Sequence, residues 1–165
     1  MKRSLLIAAA IGSLVTATAS FAQAPPAGGA PNRPNPDQQA NAGRQALMTV
    51  LAGQAVPLIG MARGRAPYDL ALVRKNADRL AMLAHIVPEA FARDTSAVAG
   101  LTTVALPEIW KDAAGFAAKA KDNADKANAL VAAAKAGVEA DVKKAIGDFG
   151  APCGGCHDKY RTSDQ

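Results

Sequence analysis

Four stretches of this chain repeat apolar residues every three or four positions, and glycine or proline punctuates each of them. In the first, Arg44, Met48, Leu51, Ala55, Leu58 and Ala62 fall on one side of an α-helix that starts at Asp37. Pro57 is expected to kink this helix, and Gly64 and Pro67 end it. Leu70, Val73, Ala77, Leu80, Ala84 and Val87 keep a seven-residue repeat until Pro88 stops it. Residues 88–106 show no period and read as a long connection with Phe91 as an anchor. Pro107 and Glu108 suit the first turn of a third helix, whose stripe runs Ile109, Ala113, Phe116, Ala120, Ala124, Ala127, Val131 and Ala134 up to Gly137. A fourth stripe carries Val138, Val142, Ala145, Phe149, Cys153, Cys156 and Tyr160. Four amphipathic helices with two short connections and one long one predict an all-α fold, an antiparallel up-down-up-down four-helix bundle. Composition agrees: 40 of the 165 residues are alanine and 4% are aromatic, too little β-branched and aromatic material for a sandwich or barrel.

The chain divides into three segments. Residues 1–22 read as a signal peptide, with Lys2 and Arg3 as the positive region and Leu5 to Val15 as the apolar region. Ser20-Phe21-Ala22 supplies the small residues of a cleavage site. The stretch is short for a membrane anchor, and no later apolar run approaches the roughly 20 residues of a membrane span. Residues 23–36 are a Pro/Gly-rich flexible leader, and residues 37–165 form the bundle domain. Removing the signal takes two basic residues and no acids, so the charge falls from +5 to 17 − 14 = +3. A charge that small, with no basic run beyond pairs such as Arg74-Lys75, excludes a nucleic-acid footprint. Export predicts a periplasmic, oxidising setting in which two bare thiols need an account.

Cys153-Gly154-Gly155-Cys156-His157 is a C-x-x-C-H run, the pattern of c-type haem attachment. Two thiols three residues apart on a helix can add across two vinyl groups on one porphyrin edge, and the next histidine is placed to bind the iron. A structural zinc site wants four ligands, and only His85 is spare, a residue that the helical period puts away from the apolar face. A thioredoxin-like pair would follow a strand. A plain disulfide is the remaining alternative.

Bundle geometry limits the opposite side of the iron. His157 lies near the end of helix four, beside the start of helix one, where Met48 sits on the apolar face. Met61 is 13 residues further on, roughly 20 Å along the axis. Met48 either binds the iron as sixth ligand or packs beside the ring. Arg44, one turn earlier on the same stripe, either pairs with a haem propionate, with Gln45 adding a hydrogen bond, or snorkels from the helix start. Arg161, four residues after His157, either covers the proximal side of the iron or is solvated.

Together these features make residues 37–161 resemble the cytochrome c′ family of class II c-type cytochromes. The resemblance is carried by Arg44-Gln45 before Met48, Ala66-Pro67-Tyr68-Asp69, Pro107-Glu108-Ile109-Trp110, and the run CGGCHDKYR from Cys153 to Arg161. It implies one covalent haem c on Cys153 and Cys156, His157 as proximal ligand, and Arg44 and Gln45 at the propionates. It also implies a polar side chain before helix three near the haem, for which Thr103 is the candidate. Members are commonly homodimers through their first two helices, a surface that Leu72 and Met82 would suit. High-spin members leave the iron five-coordinate and bind small gases, whereas low-spin relatives use a methionine at the position of Met48.

The expectation drawn from Met48 is a periplasmic monohaem electron carrier with His157 and Met48 as axial ligands, serving redox partner proteins. The alternative is a five-coordinate cytochrome c′ binding nitric oxide or carbon monoxide. No general base stands beside an open site, so catalysis is not expected.

Overall fold

The computed structural model describes residues 35–162, so the expected signal peptide and all but the last two residues of the expected leader lie outside the described residues. Five α-helices follow one another: α1 (Pro36–Ala62), α2 (Leu70–Ala90), α3 (Glu108–Lys111), α4 (Ala113–Ala136) and α5 (Glu139–Tyr160). α1, α2, α4 and α5 are the four helices of an up-down-up-down bundle, and α3 is a single turn ahead of α4.

Local chemistry sets the ends. α1 begins one residue earlier than expected because Asn35 caps it, its side chain accepting from the Asp37 amide at 2.9 Å, while Pro36 fills the first helical position. Pro57 remains inside α1 and is exposed, so the carbonyl that loses its partner faces water. Asp69 caps α2 by accepting from the Leu72 amide at 3.0 Å. α2 runs two residues past Pro88, since a proline in a last turn keeps a helical φ and removes only one hydrogen bond. Gly137, at φ 80°, ends α4 in the left-handed conformation that a side chain disfavours.

The third helix differs most from expectation. Asp112, at φ −116° and ψ 54°, breaks it and caps α4 by accepting from the Gly115 amide at 3.2 Å. The break resets the helical phase, so Ala113, expected in the core, is exposed. Val138, expected on the α5 stripe, stands at the position before that helix, makes no side-chain cap and is also exposed.

Two clusters form the interior. The first lies toward the connections Arg63–Asp69 and Gly137–Val138 and contains Leu58, Val73, Leu80, Leu130, Val142 and Phe149, each no more than 2% exposed. Ala77, Ala84, Ala124, Ala127 and Ala134 complete it, letting α2 and α4 approach closely. The second lies where α1 and α4 begin and α2 and α5 end, and contains Val87, Ile109, Phe116, Ala120 and Tyr160. Small residues and valines leave much of α1 turned outward. Among the described residues α1 is the helix long and apolar enough, by length and composition, to cross a membrane, in contrast to the expectation that no later apolar run approaches a span. Its Leu58 and Met61 are buried in the bundle.

Candidate haem site

The C-x-x-C-H run occupies the last turns of α5. Three residues along a helix rise roughly 4.5 Å and return close to the same side, so Cys153 and Cys156 stand one above the other, both half-buried. Cys153 packs against the first cluster and Cys156 against the second. Asn123 of α4 donates to the Cys153 sulfur at 3.4 Å, and the Cys153 thiol in turn approaches the Phe149 carbonyl at 3.6 Å. Burial pushes both thiols up from their ordinary values. Neither is the depressed thiolate that a redox pair uses. His157 is exposed on the next residue, and its carbonyl accepts from the Arg161 amide at 3.1 Å.

Opposite α5, the start of α1 brings Leu47, Met48 and Leu51 against the second cluster, alongside Phe91, Trp110 and Cys156. Met48 therefore shares one apolar cluster with Cys156, as the helix geometry predicts. Met61 lies deep in the first cluster, and His85 is on the surface beside Asn128 at 3.3 Å.

Arg44 is 3% exposed, which removes the snorkelling alternative. Its guanidinium lies 5.1 Å from the centre of the Trp110 ring and 5.5 Å from that of Phe91, a cation–π setting. Nε donates to the Ala40 carbonyl at 3.2 Å and Nη2 to the Thr95 hydroxyl at 2.7 Å. Nη1 is buried with no hydrogen-bond partner. Burial lowers the Arg44 pKa, and the charge of nearby Asp94 opposes that shift. An unsatisfied buried donor costs about 1–3 kcal/mol. A propionate carboxylate would satisfy it, so the residues present fit a haem whose vinyl edge meets α5 and whose propionates meet Arg44.

The other expected residues make contacts of their own within the protein. Gln45 donates to the Thr102 carbonyl at 2.9 Å, and so does the buried Asn41 at 2.9 Å. Thr103 is exposed, and its hydroxyl accepts from the Ala105 amide at 3.2 Å, so its side chain serves the local turn. Arg161 is half-buried, ends α5 and pairs with Ala105 in an isolated antiparallel bridge. Asn41, Thr95 and Asn123 carry polar contacts that pattern reasoning missed. Asn41 lies one turn before Arg44 on the same stripe, a signal that was legible, whereas Thr95 sits in an aperiodic loop.

A four-helix bundle with paired thiols and a histidine on the last turns of its final helix is a bundle-type c-type cytochrome. A profile of the family described as cytochrome C′ matches residues 39–161. The chain is 37% identical over 118 residues to a cytochrome c′ of Rubrivivax gelatinosus, covering 72% of this chain and 90% of that protein. It is also 37% identical to a cytochrome c-554 of Cereibacter sphaeroides, covering 74% and 80% of the two chains. Among solved structures, a ferrous cytochrome c prime variant of Alcaligenes xylosoxidans with bound NO is 34% identical, with TM-score 0.69, covering 78% of this chain and 97% of that one. The chain belongs to the cytochrome c′ family, and it carries covalent haem c through Cys153 and Cys156.

These relatives correct the functional expectation. The His157/Met48 electron carrier gives way to the alternative, because matched relatives bear the name cytochrome c′ and solved ones hold nitric oxide. Met48 is a half-buried wall residue among Leu47, Leu51 and Phe91, a setting in which a thioether serves as an apolar packing group.

Proposed function

We propose that this chain is a periplasmic, five-coordinate haem protein that binds nitric oxide or carbon monoxide and does not catalyse a reaction. The observation that carries this reading is the apolar wall facing the α5 motif, built by Leu47, Met48, Leu51 and Phe91. A bound haem would supply an iron able to take a small diatomic ligand. His157 holds the iron from the α5 side. Met48 and its neighbours shape the opposite side, where an apolar surface admits a neutral diatomic and disfavours anions, which would lose their hydration. Arg44, gripped by Phe91, Trp110 and Thr95, anchors one propionate through Nη1, and Gln45 supports it. Arg161 stands one turn beyond His157 and shields the proximal face.

A ferrous iron has to be maintained by reducing partner proteins, and the N-terminal signal accounts for export. The chain further forms a homodimer through α1 and α2, where Val50, Val56, Met82 and Ile86 are exposed by 40–68%. Optical spectra of the holoprotein test the central point. The ferric and ferrous forms should be high-spin, the ferrous form should bind carbon monoxide, and Met48→Ala should speed that binding several-fold. A low-spin wild-type spectrum that Met48→Ala converts to high-spin overturns the proposal.

A further inference from the structure

Asp112 uses both oxygens of its carboxylate, and only one of them serves the helix it caps. One oxygen accepts from the Gly115 amide at 3.2 Å and closes the first turn of α4. The other accepts from the Tyr160 hydroxyl at 2.8 Å and from the Lys159 ammonium at 2.5 Å, both on the last turn of α5. Tyr160 is 3% exposed, and its ring meets Phe116 edge-on at 5.3 Å and 86°. The backbone of the same turn is tied elsewhere: the Leu106 amide donates to the Tyr160 carbonyl at 3.0 Å, and the Thr162 amide to the Val104 carbonyl at 2.8 Å. His157 stands three residues before Tyr160 on that turn.

From this arrangement we propose that Asp112 is a positioning residue for His157, fixing through Tyr160 the orientation in which the imidazole meets the haem iron. The inference rests on the reading of His157 as the proximal ligand. Capping alone leaves the second oxygen and its two α5 donors without a purpose. Rotation of the last turn about the α5 axis would carry the imidazole with it, and the Asp112–Tyr160 bond resists that rotation from the α4 side. Gly115 belongs to the same device: a Cβ at this position would collide with the Asp112 carboxylate, so glycine is what lets the carboxylate fold over the first turn of α4 and still reach α5.

The test uses haem-loaded protein and three substitutions. Tyr160→Phe deletes one hydroxyl and keeps the ring on Phe116. Gly115→Ala displaces the carboxylate without touching α5. Asp112→Asn keeps a single acceptor oxygen, which serves either the Gly115 amide or the Tyr160 hydroxyl but not both. The readout is the iron–imidazole stretching band of the ferrous protein in resonance Raman spectra. Tyr160→Phe, Gly115→Ala and Asp112→Asn are each expected to broaden the band and move it by several wavenumbers. A wild-type band in both of the first two variants overturns the proposal, whatever their melting temperatures do. A six-coordinate low-spin wild type would instead sink the gas-binding reading.

Discussion

The two ends of the bundle are built on different chemistry. The end holding the short connections is aliphatic and alanine-rich: Val73, Leu80, Leu130 and Val142 have no exposure, and polar links between its helices run to backbone carbonyls, from Asn76 to Gln54 at 3.1 Å and from Arg74 to Ala134 at 2.9 Å. The end carrying the C-x-x-C-H motif is aromatic and polar. Phe91, Trp110, Met48 and Cys156 are only half-buried there, and Arg44 is buried with one donor unsatisfied. The first end gains its stability from packing among its own side chains. The second presents apolar faces and a charge that a large flat group with carboxylates would bury and pair. Fold and function are thus separated along the bundle axis.

Removing both thiols breaks this separation most directly. Cys153→Ala with Cys156→Ala should abolish covalent pigment, so that denatured protein separated on a gel shows no haem stain. Hydrogen exchange should then quicken in the first turns of α1 and the last turns of α5, while amides around Leu80 and Leu130 keep their protection. Equal loss of protection at both ends would show one cooperative core rather than two regions.

The same division explains what was legible in the sequence. The stripes Leu70 to Val87 and Ala120 to Ala134 gave most of the core of α2 and α4 because aliphatic packing has a helical period that pattern alone reveals, although the fully buried residue is Leu130 where Val131 was expected. The motif at Cys153 to His157 and the position of Met48 were legible for a related reason, since spacing on one helix fixes which residues share a side. The phase reset at Asp112 was not legible. It depends on a carboxylate held from α5, 47 and 48 residues away in sequence. The partner of Arg44 was equally hidden, because Thr95 lies in a loop whose path is set by tertiary contacts. The identity of the functional group opposite His157 was misread, because a methionine at one position serves packing and ligation equally well in pattern terms.

Core truncations sharpen the comparison at the next scale. Leu80→Ala and Leu130→Ala each remove a fully buried side chain from the aliphatic end. Each should cost about 2–5 kcal/mol, measured by urea unfolding, with haem content unchanged. Leu47→Ala, at a half-buried position of the motif end, should cost less in unfolding yet alter carbon monoxide binding. A reversed order, with Leu47 the costlier truncation, would mean that the motif end is the main source of stability.

The smallest effect is expected from acid. Hydrogen bonds from Lys159, then Tyr160, then the Gly115 amide hold the Asp112 carboxyl down at about 2. A carboxyl whose folded value lies below its unfolded one stabilises the fold fully above the ordinary carboxylate range, and the contribution disappears as pH falls through its folded value. The Asp112 contribution should therefore be intact at neutral pH and decline from near pH 4 down to about pH 2. Asp112→Asn keeps one of the two acceptor oxygens and cannot titrate, so the difference in melting temperature between wild type and this variant should be constant above pH 5 and shrink below pH 4. Because this carboxylate joins α4 to α5 at the motif end, the acid loss should appear first in the haem spectrum and only later in overall helicity. A helicity loss that comes first would place the acid-sensitive contacts in the aliphatic end instead.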